Sequence, residues 1–217
     1  MKIGALSLYS SDLDLQTSFY EDILGFPKIA AHDNFAQFQI GQTLLTLLKK
    51  ESFTPYHFAI NIPSNKAPEA YQWLQRKVKL LKDGNDDFID FKSWNARAMY
   101  FYDADRNIVE FIARKNLSVN SSEEFTAREV LGISEIGMPV SDIESAYHQL
   151  CEFKEMPIYD GNFDRFCAAG DETGLLIIID KSKKKWYPTN DPAASSDFFL
   201  EGDFNFAFIN GQIQELP

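Results

Sequence analysis

The feature that most constrains this chain is one order of elements that occurs three times. Residues 3 to 9 read as a short strand, Ser11-Asp12 as a helix start, and Leu15, Phe19, Ile23 and Leu24 as a helical apolar stripe ending at Gly25. Three short strands follow, Pro27 to Ala31, Phe35 to Ile40 and Thr43 to Leu48, parted by the turn-forming pairs Asp33-Asn34 and Gly41-Gln42. The order returns from residue 56, with a strand His57 to Ile62, a helix through Ala67, Tyr71, Leu74 and Val78, and strands near Phe88, Ala98 to Tyr102 and Ile108 to Ala113. It returns again from residue 133, with a strand Ile133 to Met138, a helix from Asp142, and strands near Ile158, Arg165 to Ala169 and Leu175 to Ile179. A repeat of about 50 to 70 residues with this content specifies an α+β fold of repeated βαβββ modules.

Asn116 to Glu129 is rich in Ser, Asn and Glu and has no apolar periodicity, so it reads as a linker. The expected organisation is a pair of modules over residues 1–115, a linker over 116–131, and a third module with a tail over 132–217. The end of the tail reads as a hairpin around Asn210-Gly211, the strongest two-residue turn signal in the chain. It is either the remnant of a fourth module or a closure for the sheet edge of the third.

Composition excludes several functions. A chain of 217 residues with 45% hydrophobic content supports a packed core. No window reaches the roughly 18 consecutive apolar residues of a membrane-spanning helix, and the opening Met-Lys-Ile-Gly-Ala-Leu lacks the apolar stretch of a secretory signal, so a cytoplasmic protein with no membrane partner is expected. A net charge of −11 repels phosphate backbones, and the run Lys181, Lys183 to Lys185 reads as a solvated strand end; nucleic acid is not an expected partner. Cys151 and Cys167 lack zinc spacing and read as reduced packing residues. There is no glycine-rich phosphate loop and no nucleophile elbow.

The stretch Ala5 to Leu13 followed by Phe19-Tyr20-Glu21-Asp22-Ile23-Leu24-Gly25-Phe26 resembles the opening strand and helix of vicinal oxygen chelate proteins, the superfamily of glyoxalase I, bleomycin-resistance proteins and extradiol dioxygenases. Phe101-Tyr102-Asp103-Ala104-Asp105-Arg106-Asn107-Ile108-Val109-Glu110-Phe111 is similar to that family's closing turn and strand, with Arg106 where glycine is usual. Ile136 to Glu144 repeats the opening more weakly. The Trp94-Asn95-Ala96 segment and the third module are similar to those of bacterial glyoxalase-like proteins. The resemblance implies two paired modules plus a third with a C-terminal hairpin.

It also implies a site. Alternation along a half-buried strand puts His57, Ala59 and Asn61 on the concave side, with Glu110 on the same side of the closing strand. By resemblance these two are ligands of a divalent zinc, iron, nickel or manganese ion. The counterparts in the first module, Ala5 and approximately Thr46, are not ligands, and the 2-His-1-carboxylate set of an extradiol iron enzyme cannot be completed from aligned positions. Glu135 holds the first-strand ligand position of the third module, on the face of Ile133 and Gly137, and joins His57 and Glu110 if the third module pairs with the second; Ile178 then stands where the second glutamate would be. His32 is a further candidate with no motif support, and His148 reads as a surface or helix-packing residue.

Two function classes follow, and a purely structural role, with His57 and Glu110 buried, mutually satisfied and closed to solvent, is a third option. One is a metal-dependent lyase or isomerase acting on a small oxygenated molecule, with His57, Glu110 and Glu135 as ligands and Glu110 or Glu135 moving the proton. The other is a metal-free binding protein of the bleomycin-resistance type, in which His57 and Glu110 bond each other or Tyr102. Tyr9, Trp94, Asn95, Arg97, Tyr100 and Tyr102 are pocket candidates in both, although Trp94 and Asn95 equally suit core or loop-anchoring roles. The acid excess favours a cationic or neutral ligand. A third module with no obvious partner in the chain suggests a homodimer through its free edge.

Overall fold

In the computed structural model, which describes residues 1–216, the βαβββ order recurs as expected. Module one comprises β1 (Ile3–Ser10), α1 (Leu13–Ser18, continued by a π-helical turn Phe19–Leu24), β2 (Lys28–His32), β3 (Phe35–Ile40) and β4 (Thr43–Lys49). Module two comprises β5 (His57–Ile62), α2 (Ala67–Gln75), the short β6 (Leu80–Leu81) and β7 (Ile89–Phe91), then β8 (Ala96–Tyr102) and β9 (Ile108–Arg114). Module three comprises β10 (Gly132–Val140), α3 (Ile143–Phe153), β11 (Ile158–Asn162), β12 (Phe166–Asp171) and β13 (Gly174–Asp180). The tail adds β14 (Lys185–Trp186), β15 (Asp191–Pro192), β16 (Phe198–Gly202), β17 (Phe206–Ile209) and β18 (Gln212–Glu215).

Modules one and two do not share a sheet, contrary to the expected pairing. The nine-stranded sheet joins modules two and three in the order β11-β12-β13-β10-β5-β9-β8-β6, with β7 also on β8. The seven-stranded sheet joins module one to the tail, β18-β17-β16-β1-β4-β3-β2. Hydrogen bonding decides this. β5 runs antiparallel to β10, and β1 runs antiparallel to β16 with Leu6 opposite Leu200, so each module's first strand has an in-chain partner. The tail therefore closes the edge of module one, not of module three. The unpaired third module that suggested a homodimer is absent. Asn210 and Gly211, at φ 52° and 77°, form the expected β17–β18 turn.

One face of each sheet packs into a shared core. Leu6, Leu8 and Phe38 meet Phe58, Phe101 and Phe111 there, all essentially fully buried and each contributing about 1.5–3 kcal/mol. The segment 116–131 runs between β9 and β10, and Phe125, Ala127 and Val130 within it enter this core. In α1 the buried residues are Leu13 and Gln16, followed by Phe19, Tyr20 and Leu24, whereas Leu15 and Ile23 are exposed. The expected stripe is shifted because the helix widens into a π turn, and because Gln16 faces inward to donate to Asp103. That carboxylate also accepts from Tyr20, from the Asn107 side chain and from the backbone of Asp105 and Asn107, fastening the β8–β9 turn to module one. Arg106 takes φ 64° in this turn, the left-handed conformation that explains the usual glycine, and its guanidinium lies 4.3 Å from the centroid of the Tyr102 ring.

Candidate metal centre

The other face of the nine-stranded sheet forms a cup. β5 is the central strand, parallel to β9 with Ala59 opposite Glu110, and antiparallel to β10 with Ala59 opposite Glu135. Glu110 and Glu135 therefore flank Ala59 from either side, and His57 lies two residues away on the same face. Their ligand atoms all lie within 4.8 Å of one another, and all three residues are buried. A bulge between Ile133 and Glu135 breaks alternation on β10. Ile133 consequently packs into the core while Glu135 faces the cup, correcting the expectation that they share a face.

His57 Nδ1 lies 3.2 Å from the Ile108 carbonyl and so carries the proton as donor. The lone pair of Nε2 is left pointing toward Glu110, 3.6 Å from Oε2. Burial lowers the imidazole pKa to about 4, so the ring is neutral near pH 7 and competent as a ligand. Burial and the Glu135 carboxylate raise Glu110, and the Tyr100 hydroxyl donates to it. Burial also raises Glu135, against Arg114, whose Nη2 donates to Oε1 in a close ion pair. Arg114 is fully buried, bonds Asn61 Oδ1 at 3.2 Å through Nε, and lies 5.2 Å from the centroid of the Trp94 ring. Two buried carboxylates thus share one guanidinium, and a neutral imidazole faces the less compensated one. One imidazole nitrogen with two carboxylate oxygens is a donor set that suits a divalent first-row metal. It is not a 2-His-1-carboxylate set.

A cavity of about 310 Å³ opens above these groups. Trp94 and Tyr100 line it, as do Phe166, Lys184, Trp186 and Tyr187. Trp186 reaches across from the tail to lie 5.2 Å from the His57 ring, and Gly137 makes room, since a Cβ there would come within 2.4 Å of the indole. The remaining pocket candidates lie elsewhere. Tyr9 is on the seven-stranded sheet against Phe199 and Lys50. Asn95 takes a left-handed turn position, φ 48°, and donates to Asn116, while Arg97 is exposed over Phe88. Tyr102 shares the face of Tyr100 but donates to Asp191, so Tyr100 is the tyrosine that bonds Glu110.

The residue matching Glu110 in module three is Ile177, which lines the cavity; Ile178 packs into the core, one step out of register with the expectation. His32 stacks on Phe35, and His148 is exposed beside Glu144. Arg114 was legible from its place four residues beyond Glu110 on the same face, and Asn61 from its place four beyond His57. Trp186 and Lys184 carried no signal, because the fold of the tail over the cup is a long-range event.

Mixed sheets of βαβββ modules around a His/Glu/Glu cup define a glyoxalase-type fold. The family model of the Glyoxalase/Bleomycin resistance protein/Dioxygenase superfamily matches residues 2–111, and the chain belongs to that superfamily. Among solved structures, a Bacillus subtilis subsp. subtilis str. 168 protein provisionally described as a dioxygenase is 14% identical at a TM-score of 0.60, over 82% of this chain and 63% of that one. A mutant of glyoxalase I from Zea mays is also 14% identical, at a TM-score of 0.55, over 82% of this chain and 66% of its own. These two likenesses concern the fold. No curated protein matches in sequence. Among the described residues no helix is long and apolar enough to cross a membrane.

Proposed function

We propose that the chain is a metal-dependent enzyme of the glyoxalase type, a lyase or isomerase acting on a small oxygenated molecule. The supporting observation is the convergence of ligand atoms of His57, Glu110 and Glu135 within 4.8 Å of one another in a buried cup. A divalent ion held by these three residues would supply charge for two adjacent ligand oxygens. Arg114 engages Glu135, which suits Glu135 to a fixed anionic role. Glu110, held by Tyr100, is the carboxylate better placed to take and return a proton. The aromatic walls orient the ligand and exclude water.

Elemental mass spectrometry of untagged protein tests this. The expected result is near-stoichiometric zinc, iron, nickel or manganese in the wild type and its loss in both His57→Ala and Glu110→Gln. Protein that remains metal-free after incubation with all four ions would sink the enzyme reading. It would favour the metal-free binding protein, to which the Trp186 ring over His57 and the Arg114–Glu135 pair are suited.

A further inference from the structure

We infer that Lys184 is a specificity-determining residue of the cup, and that the ligand it selects is a small aromatic molecule bearing a carboxylate. The inference rests on the metal-centre reading and adds the chemical class of the ligand.

The basic run that reads as a solvated strand end is divided by the fold. Lys183 points outward, 2.8 Å from Asp164 and 3.5 Å from Asp180, and Lys185 is exposed. Lys184 turns inward and lines the cavity. Its direction is set by the turn after β13. Asp180 Oδ1 accepts from Ser182, and the Asp180 carbonyl accepts from the Lys183 and Lys184 amides at 3.1 and 2.9 Å. Lys184 Nζ lies 3.9 Å from the centroid of the Phe166 ring. It has no carboxylate at ion-pair distance among the described residues, and burial lowers its pKa. The nearby carboxylate Asp160 is engaged by the Trp94 indole at 2.6 Å and by the Gly161 amide at 2.7 Å. An ammonium half-withdrawn from water, unpaired, and aimed into a cavity is a receptor for an anion.

The local charge agrees. With a divalent ion in place, Arg114, Lys184 and the ion outweigh Glu110, Glu135 and Asp160, so the cup is electropositive inside a chain of net charge −11. The acid excess of the whole chain is therefore a poor guide to its ligand. The walls add the remaining constraint. Trp94, Phe166, Trp186 and Tyr187 bound a space of about 310 Å³, which suits a planar ring with one or two substituents.

Calorimetric titration of the full chain, zinc-loaded and separately stripped with EDTA, tests this with three probes of one shape: 3,4-dihydroxybenzoate, its methyl ester, and 3,4-dihydroxybenzylamine. The zinc-loaded wild type is expected to bind the acid about tenfold more tightly than the ester or the amine. Lys184→Met should bring the acid down to the level of the ester, Lys184→Arg should keep the preference, and Lys183→Met should match the wild type. Equal affinity for acid and ester, a preference for the amine, no binding of any probe, or an acid preference that survives Lys184→Met would each overturn the inference. If the acid preference persists in protein that takes up no zinc, the metal reading fails and the role of Lys184 stands. Zinc uptake without the preference gives the reverse.

Discussion

Arg114 is the residue on which the cup's electrostatics turn. It is fully buried, its guanidinium bonds Glu135 and Asn61, and its Nη1 has no hydrogen-bond partner among the described residues. Replacing it by methionine keeps most of the volume but leaves Glu135 as an unmatched buried charge, which costs about 3–5 kcal/mol. Denaturant unfolding of Arg114→Met should show a loss of that size. The double variant Arg114→Met, Glu135→Gln should recover most of it, because charge and countercharge leave together. If the double variant is no more stable than the single one, Arg114 acts through packing against Trp94 and not through its charge. Alternation along β9 made Arg114 predictable once Glu110 was placed. The Glu135 side of the pair was only conditional in the sequence, since it depended on which module met which.

At the scale of elements, local sequence was a good guide and registration between distant strands was not. β3 and β5 have the expected bounds, Asp12 and Asp142 cap α1 and α3, and Asn210-Gly211 turns β17 into β18, because period-two alternation, cap chemistry and turn residues act within a few positions. The bulge at Ile133 and the π turn at Phe19 each shift a face by one residue without leaving a mark in composition. The β8–β9 turn offers a test with a sign. Burial raises the Asp103 carboxyl to about 6, although five donors hold it down. A folded pKa above the unfolded 3.8 means that the folded state binds the proton more tightly. The group's contribution is then fully present below about pH 4 and is lost as pH rises through 6. Relative to Asp103→Asn, the wild type should gain stability on going from pH 7 to pH 4, by about 3 kcal/mol at most. A relative loss over the same range, read by unfolding at both pH values, would show the five donors outweighing burial.

The whole molecule is a ring of pairings in which the tail returns to the beginning. β16 hydrogen-bonds β1 along Ala5 to Ser7, and the core face of the tail carries Phe198, Leu200, Phe206 and Phe208, none of which is exposed at all. Among the described residues module one has no other strand partner at that edge, whereas modules two and three complete a sheet between themselves. Ending the chain after Ala194 would therefore remove about 6–12 kcal/mol of buried phenylalanine and leucine and leave the β1 edge unpaired. A loss of that size is comparable to the entire stability of a typical domain, and it falls on one sheet. Hydrogen exchange should show β1, β3 and β4 losing protection in the shortened chain. The cup strands β5, β9 and β10 should keep more of theirs, because their partners and the Trp186 covering are retained. Uniform loss across both sheets would mean that the shared core makes the two sheets a single cooperative unit, and that the cup cannot form without the closure of module one.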